Sequence, residues 1–321
     1  MKRYFLKMSI ALSIFLGAHL LVAHYAGGKI DFLYRHFTTP RQHSLIVGAS
    51  RAAQGLLPEV FNEELADLGF QLPIYNFTFT IVHSPFGPSY LDLIQRKLAP
   101  DTRNGLFLVE VNPWLLTRDR TNTLDDPALF RENGLCTDNM RYVDWPVNYE
   151  YLLKNYRRAW GRIILDELEN RQFELKPDGW LAVTPLPVEE RHGRMLEVNA
   201  EIFRDSLAHK WELSPTRLQY LEKTLAFFQE RGRAFLVRMP VSSLMLETET
   251  AFMPGFDSLM NAVAERRQLP YFNYATALPD TCFNDGHHLA QPHGRLFSHR
   301  LARDVRYWLQ EQSKTADDRI R

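Results

Sequence analysis

The segment HSLIVGASRAAQGLLPEVFNEEL, residues 43–65, sets the reading of this chain. HSLIVGAS (43–50) is a short buried-strand candidate around the apolar run Leu45–Val47. Gly48 and Ser50 close the run, and a helix-compatible stretch follows from Arg51. A strand apolar along its whole length is buried on both faces, the mark of a parallel sheet covered by helices. The same rhythm recurs downstream. QLPIYNFTF (71–79) reads as a second strand, SYLDLIQRKL (89–98) as a helix and GLFLVEVNP (105–113) as a third strand. SPTRLQYLEKTLAFFQERG (214–232) is a helix capped by Ser214, followed by the strand RAFLVRMPVS (233–242). FDSLMNAVAERRQ (256–268), YFNYA (271–275) and GRLFSHRLARDVRYWLQEQ (294–312) continue as helix, strand and helix. Strand and helix in alternation predict a layered α/β domain with a mainly parallel sheet.

Residues 115–210 interrupt this alternation with a charged loop, a long helical candidate at 145–171 and the Pro/Gly-containing stretch KPDGWLAVTPLP (176–187). Because the α/β rhythm resumes beyond it, this block reads as an insertion within one domain spanning 42–311. Residues 29–41 read as a linker, with HFTTPRQ (36–42) as a polar lead-in, and the tail from 312 to 321 reads as frayed.

The N-terminus carries a separate signal. Lys2, Arg3 and Lys7 precede a mainly apolar run, Met8–Ala26. As a helix that run extends about 28 Å, close to the ~30 Å hydrocarbon layer of a bilayer. The basic flank predicts a cytoplasmic N-terminus, so residues 1–28 read as an anchor or uncleaved signal and the rest as extracytoplasmic. In such a compartment Cys136 and Cys282, the only two cysteines, are candidates for one disulfide. Composition narrows the partners. Thirty-eight Lys plus Arg balance 38 Asp plus Glu, giving no basic excess for nucleic acid. Neither GxGxxG nor GxxxxGK[ST] occurs, so no nucleotide cofactor is expected.

Two clusters carry chemistry. Ser50 stands where a strand ends and a helix begins, the position at which open α/β sheets place ligands and at which free backbone N–H groups stabilise an anion. In CFNDGHHLAQPHGRLF (282–297), Asp285 lies three positions before His288, a spacing at which one tight turn lets the carboxylate orient the imidazole for a Ser/His/Asp relay. His287 and His293 lie beside them. Three histidines in seven residues also admit a metal reading, though no accompanying ligand set is evident.

Taken together, IVGASRAAQGLLPEVF, IYNFTF, FLVEVNPW and FNDGHHLAQPHGRLFSHRLA give a sequence that resembles the SGNH (GDSL-like) hydrolase superfamily. The likeness is to its membrane-anchored extracytoplasmic branch, which includes D-alanine transfer and alginate O-acetylation proteins. The resemblance implies a flavodoxin-like three-layer α/β/α domain with Ser50 as nucleophile, His288 as base and Asp285 as its orienter. It implies an esterase or O-acyltransferase acting on an acylated envelope glycan or lipid, in a bacterial cytoplasmic membrane with the main domain periplasmic. A multispan membrane-bound O-acyltransferase is the implied partner, and a non-catalytic accessory or glycan-binding protein is the alternative. The chain departs from the pattern at Ala49, where the common signature has Asp, and no glycine in YNFTFT aligns with the usual oxyanion donor. Asn76 and Asn112 are therefore the candidates for oxyanion or polar support. Arg51, Tyr75, Trp114 and Arg238 are candidates for substrate binding.

Overall fold

The computed structural model describes residues 1–26, 32–155, 173–184 and 192–320. Among the described residues nine strands form in chain order: β1 Ser44–Val47, β2 Ile74–Asn76, β3 Gly105–Glu110, β4 Thr117–Asp119, β5 Phe173–Leu175, β6 Leu181–Val183, β7 Trp211–Leu213, β8 Gly232–Arg238 and β9 Tyr271–Asn273. Five of them make one sheet in the order β2-β1-β3-β8-β9. All its pairings are parallel, with Leu45 opposite Phe107, Leu108 opposite Phe235 and Leu236 opposite Tyr271. Among these five, chain order becomes the doubly wound order 2-1-3-4-5, whose switch point lies beyond the carboxyl ends of β1 and β3.

The continuous apolar strands behave as their composition requires. Every residue of β1 and β3 is buried. Successive side chains point to opposite faces of a strand, so each strand feeds two cores. Leu45, Val47, Phe107, Val109, Ala234 and Leu236 pack into a cluster with residues of helices Pro88–Lys97, Pro215–Gln229 and Phe256–Arg267. Ile46, Leu106, Leu108, Phe235 and Val237 pack on the other face with residues of Ser50–Gly55, Pro58–Glu64 and the terminal helix Gln291–Ile320. Each fully buried Leu, Val or Phe contributes about 1.5–3 kcal/mol from area removed from water. The protein is thus α/β with a five-stranded parallel sheet and helices on both faces.

The interrupting block is pinned at its neck. β4 and β7 pair antiparallel, Thr117 opposite Leu213 and Asp119 opposite Trp211, and β5 and β6 form a second two-stranded unit. Just beyond the neck the Asp125 carboxylate accepts from Ser214 Oγ (2.5 Å) and the Thr216 N–H (2.7 Å). Arg217 forms a buried two-pronged pair with Glu132, 2.9 Å on each prong. That geometry suits the planar guanidinium, which donates two parallel N–H groups to one carboxylate.

Several expectations are corrected. Within 145–171 the described helix is Tyr149–Asn155, starting only after Asn148, whose side chain accepts from the Tyr151 N–H; residues 156–172 lie outside the described residues. The tail expected to fray continues the terminal helix to Ile320. No disulfide joins Cys136 and Cys282, because they are buried in cores on opposite faces of the sheet. A further helix, Ser243–Phe252, starts where Ser242 Oγ accepts from the Met245 N–H. The N-terminal helix Lys2–Ala26 includes the segment Lys2–Leu21, long and apolar enough to cross a membrane and unburied by the rest of the chain.

Candidate active site

Ser50 is placed by a turn that only glycine permits. Gly48 has φ +148°, and a Cβ there would lie 2.5 Å from a carboxylate oxygen of Glu110. Around this turn the Gly48 N–H donates to Tyr90 Oη (3.1 Å), the Ala49 N–H to Glu110 Oε2 (2.6 Å), and Ser84 Oγ to the Gly48 carbonyl (2.5 Å). Ser50 then opens the short helix Ser50–Gly55 and is half-buried at its start.

His288 arrives from the other end of the chain. After β9, a bridge between Phe283 and Leu289 closes a tight loop, reinforced by the Asn284 N–H donating to the His288 carbonyl (2.9 Å). Within it Asp285 Oδ1 accepts from the backbone N–H groups of His287 (3.2 Å) and His288 (2.9 Å), while Gly286 takes φ +92°. Asp285 Oδ2 lies 2.7 Å from His288 Nδ1, and His288 Nε2 lies 2.8 Å from Ser50 Oγ. A carboxylate only accepts, so Nδ1 carries the imidazole proton, and Nε2 is left to accept the Ser50 hydroxyl. Burial acts to raise the Asp285 carboxyl, but the adjacent imidazoles of His288 and His287 outweigh it and hold Asp285 far below the usual carboxylate range.

Neither a protein-family model, nor a curated protein, nor a solved structure matches this chain. The residues themselves therefore carry the reading. Ser50, His288 and Asp285, 238 positions apart at the extremes of the Ser50–His288 contact, come together in one hydrogen-bonded line.

The other candidates are placed differently from what the sequence suggested. Asn76 gives both amide hydrogens to the carbonyls of Ala52 and Leu56 (2.9 Å each) and accepts from Thr78 Oγ1 (2.5 Å). It clamps the helix behind Ser50 rather than facing a substrate. Asn112 donates to Glu110 Oε1 (2.5 Å) and caps the Trp114 N–H (3.0 Å), so it supports Glu110. Tyr75 is a core side chain with its hydroxyl 3.0 Å from His36 Nδ1. Trp114 is wholly buried, stacked on Phe252 at 4.4 Å. Arg51 and Arg238, expected to meet an anionic ligand, instead meet a carboxylate of the protein. Both are nearly sealed from solvent and pair with Glu249, at 2.6 and 2.9 Å. Arg238 also pairs with Asp257, and Trp114 Nε1 donates to Glu249 Oε1 (3.1 Å).

Glu110, Glu249 and Asn199 are the support residues the sequence reading missed. Glu110 had a visible signal, a lone carboxyl in the apolar strand GLFLVEV, since a buried carboxyl needs partners. Burial pushes it up, against the Ala49 N–H, the Arg51 charge and the Asn112 amide. Asn199 donates from Nδ2 to the Asp285 carbonyl (3.1 Å) from helix His192–Glu201, in the interrupting block. The His287 ring lies tilted against His288, ring centroids 4.0 Å apart, and edge-on to Phe203. Burial above all pushes His287 well below its ordinary value, with the neighbouring His288 acting in the same sense, Asp285 against it and Arg51 adding to the lowering.

Asp285, His287 and His288 present ligand atoms within 4.8 Å of one another, close enough to hold a metal ion. Both nitrogens of His288 already serve the relay, however, so a metal there would displace Asp285 or Ser50 from the imidazole.

Proposed function

We propose that the protein is a membrane-anchored serine esterase or O-acyltransferase of the SGNH type, working outside the cytoplasmic membrane on an acylated envelope glycan or lipid. The observation that carries this reading is the unbroken Ser50–His288–Asp285 line at the carboxyl end of β1. In the proposed reaction Ser50 Oγ attacks an ester or thioester carbonyl while His288 Nε2 takes its proton. The ionised Asp285 stabilises the resulting imidazolium and keeps its ring oriented. His288 then hands the proton to the departing alcohol or thiol, leaving an acyl-enzyme. In the second half it deprotonates water or an acceptor hydroxyl, whose attack releases Ser50 with its proton restored. The basic flank before the apolar helix supports a cytoplasmic N-terminus and an extracytoplasmic active domain.

One observation favours the alternative of a non-catalytic accessory protein, or of a site completed by a multispan O-acyltransferase. Asn76 and Asn112 are both engaged internally, which leaves the Ser50 backbone N–H, of the oxyanion donors considered among the described residues, to serve. Intact-mass analysis after exposure to a fluorophosphonate tests the reading. Single-site labelling lost in Ser50→Ala is the expected outcome. A folded protein that stays unlabelled, alone and with a candidate acyltransferase, leaves the accessory role.

A further inference from the structure

We propose that the loop and helix from Tyr142 to Leu153 form a second membrane-contact surface, seated in the headgroup layer of the leaflet from which the Lys2–Leu21 segment emerges. This rests on that segment spanning the bilayer. Tyr142, Trp145 and Tyr149 are 41%, 41% and 43% exposed, and Leu153 is 72% exposed. Tyr142 and Trp145 stack at 3.6 Å, and Tyr149 and Leu153 sit four residues apart on one helix. Four large apolar or amphipathic side chains presented to solvent on one short segment need a partner. Tyr and Trp have the mixed character that suits the boundary between acyl chains and headgroups.

Their place relative to the membrane helix identifies the partner as lipid. His24 lies two residues, roughly 3 Å, before the end of the Met8–Ala26 apolar run, near enough to reach the headgroup boundary. It lines one cavity together with Arg35, Pro146 and Val147, the last two lying between Trp145 and Tyr149. The surface is also tied to the chain that leaves the membrane. Asn148 Nδ2 donates to the carbonyls of Phe37 (3.0 Å) and Tyr142 (2.9 Å). Buried Lys97 Nζ donates to the carbonyls of His36 (2.8 Å), Thr39 (2.7 Å) and Val143 (2.9 Å), joining the two segments through one ammonium. Arg41 pairs with Asp144 (3.2 Å) and Lys154 with Glu150 (2.7 Å), so Arg35, in the cavity with His24, and Arg141, beside Tyr142 in the chain, make the cationic excess suited to lipid phosphates. With this contact made, the domain is held at a fixed height and tilt above the bilayer.

The test uses the full-length protein in nanodiscs of phosphatidylcholine and phosphatidylglycerol with brominated acyl chains, beside Trp145→Phe. The fluorescence that Trp145 contributes, wild type minus variant, is expected to be blue-shifted and quenched about twofold or more by the brominated lipid. A nitroxide at Leu153→Cys is expected to be shielded from an aqueous nickel chelate. Unquenched Trp145 emission together with a freely accessible label overturns the proposal and assigns the surface to a protein partner. Resistance to alkaline carbonate extraction reads the anchor separately. Protein retained in the membrane with Trp145 unquenched defeats the docking surface alone, whereas released protein defeats the span as well.

Discussion

Ser50 and His288 lie 2.8 Å apart, yet the chain holds them by different means. The Ser50 turn is fixed by groups gathered from across the domain. Tyr90, Ser84 and Glu110 bind its backbone, Asn76 clamps the helix behind it, and Arg51 enters a buried cluster with Glu249 and Arg238. The Asp285–His288 loop is tied mostly to itself, by the Asp285 carboxylate, one bridge and one loop-closing hydrogen bond. Its tethers from outside include Asn199 on the carbonyl of Asp285 and the Ser242 N–H on that of Gly286 (2.9 Å). The two carboxyls nearest the chemistry differ in the same sense. Burial dominates Glu110 and pushes it up, whereas imidazoles dominate Asp285 and pull it down. Ser50 is thus held by groups from across the core, whereas His288 depends on a short loop tied mostly to itself.

The sharpest break of this comparison falls on the relay itself. Asp285→Asn is expected to slow fluorophosphonate labelling of Ser50 by about 10⁴-fold, since the ring loses its tautomer and orientation. Labelling at the wild-type rate would remove Asp285 from the mechanism. On the nucleophile side the expected loss is of stability. Arg51→Met leaves Glu249 buried with one cation fewer and is expected to destabilise the fold by about 3–5 kcal/mol in chemical denaturation, with Arg51→Met/Glu249→Leu recovering part of it. A single variant as stable as wild type would show that the cluster does not hold the turn.

Acid separates the two carboxyls. Glu110 has a raised folded value, so its contribution is fully present below its ordinary 4.5 and is lost as pH rises through the folded value. Asp285 has a depressed one, so its contribution is present above its ordinary 3.8 and is lost as pH falls toward the folded value. The stability of wild type relative to Glu110→Gln should therefore decline on going up from pH 4.5. That relative to Asp285→Asn should decline on going down from pH 3.8, each with a limiting slope of about 1.4 kcal/mol per pH unit. Parallel profiles for the two variants would contradict the assignment. The smallest effect is expected at Asn199→Ala. Loss of one hydrogen bond of about 1 kcal/mol should slow labelling roughly fivefold and leave the melting temperature within a degree or two. A full-strength labelling rate there would make the loop independent of the helix above it.

Much of the fold was legible from local pattern. The apolar runs LIV, LFLV and AFLV in HSLIVGAS, GLFLVEVNP and RAFLVRMPVS become the centres of β1, β3 and β8 of the parallel sheet, because a strand covered on both faces accommodates such runs. Ser50, Asp285 and His288 were legible because chemistry restricts which residue types can sit at a strand end and in a tight turn. The supporting residues were not. Nothing local distinguishes an arginine beside a serine that meets substrate from one that meets a buried glutamate 198 positions away, and Arg51 does the latter with Glu249. Asn76 and Asn112 carry the right amides, but the carbonyls and carboxylate that occupy them belong to neighbouring elements and to the strand before. Sequence determined the period of each element, the apolar N-terminal helix and the chemical types at the site, since these follow from side-chain identity and spacing. Tertiary structure alone decided which polar groups are already satisfied and which face outward, because a hydrogen bond or ion pair depends on what the rest of the chain brings within about 3 Å.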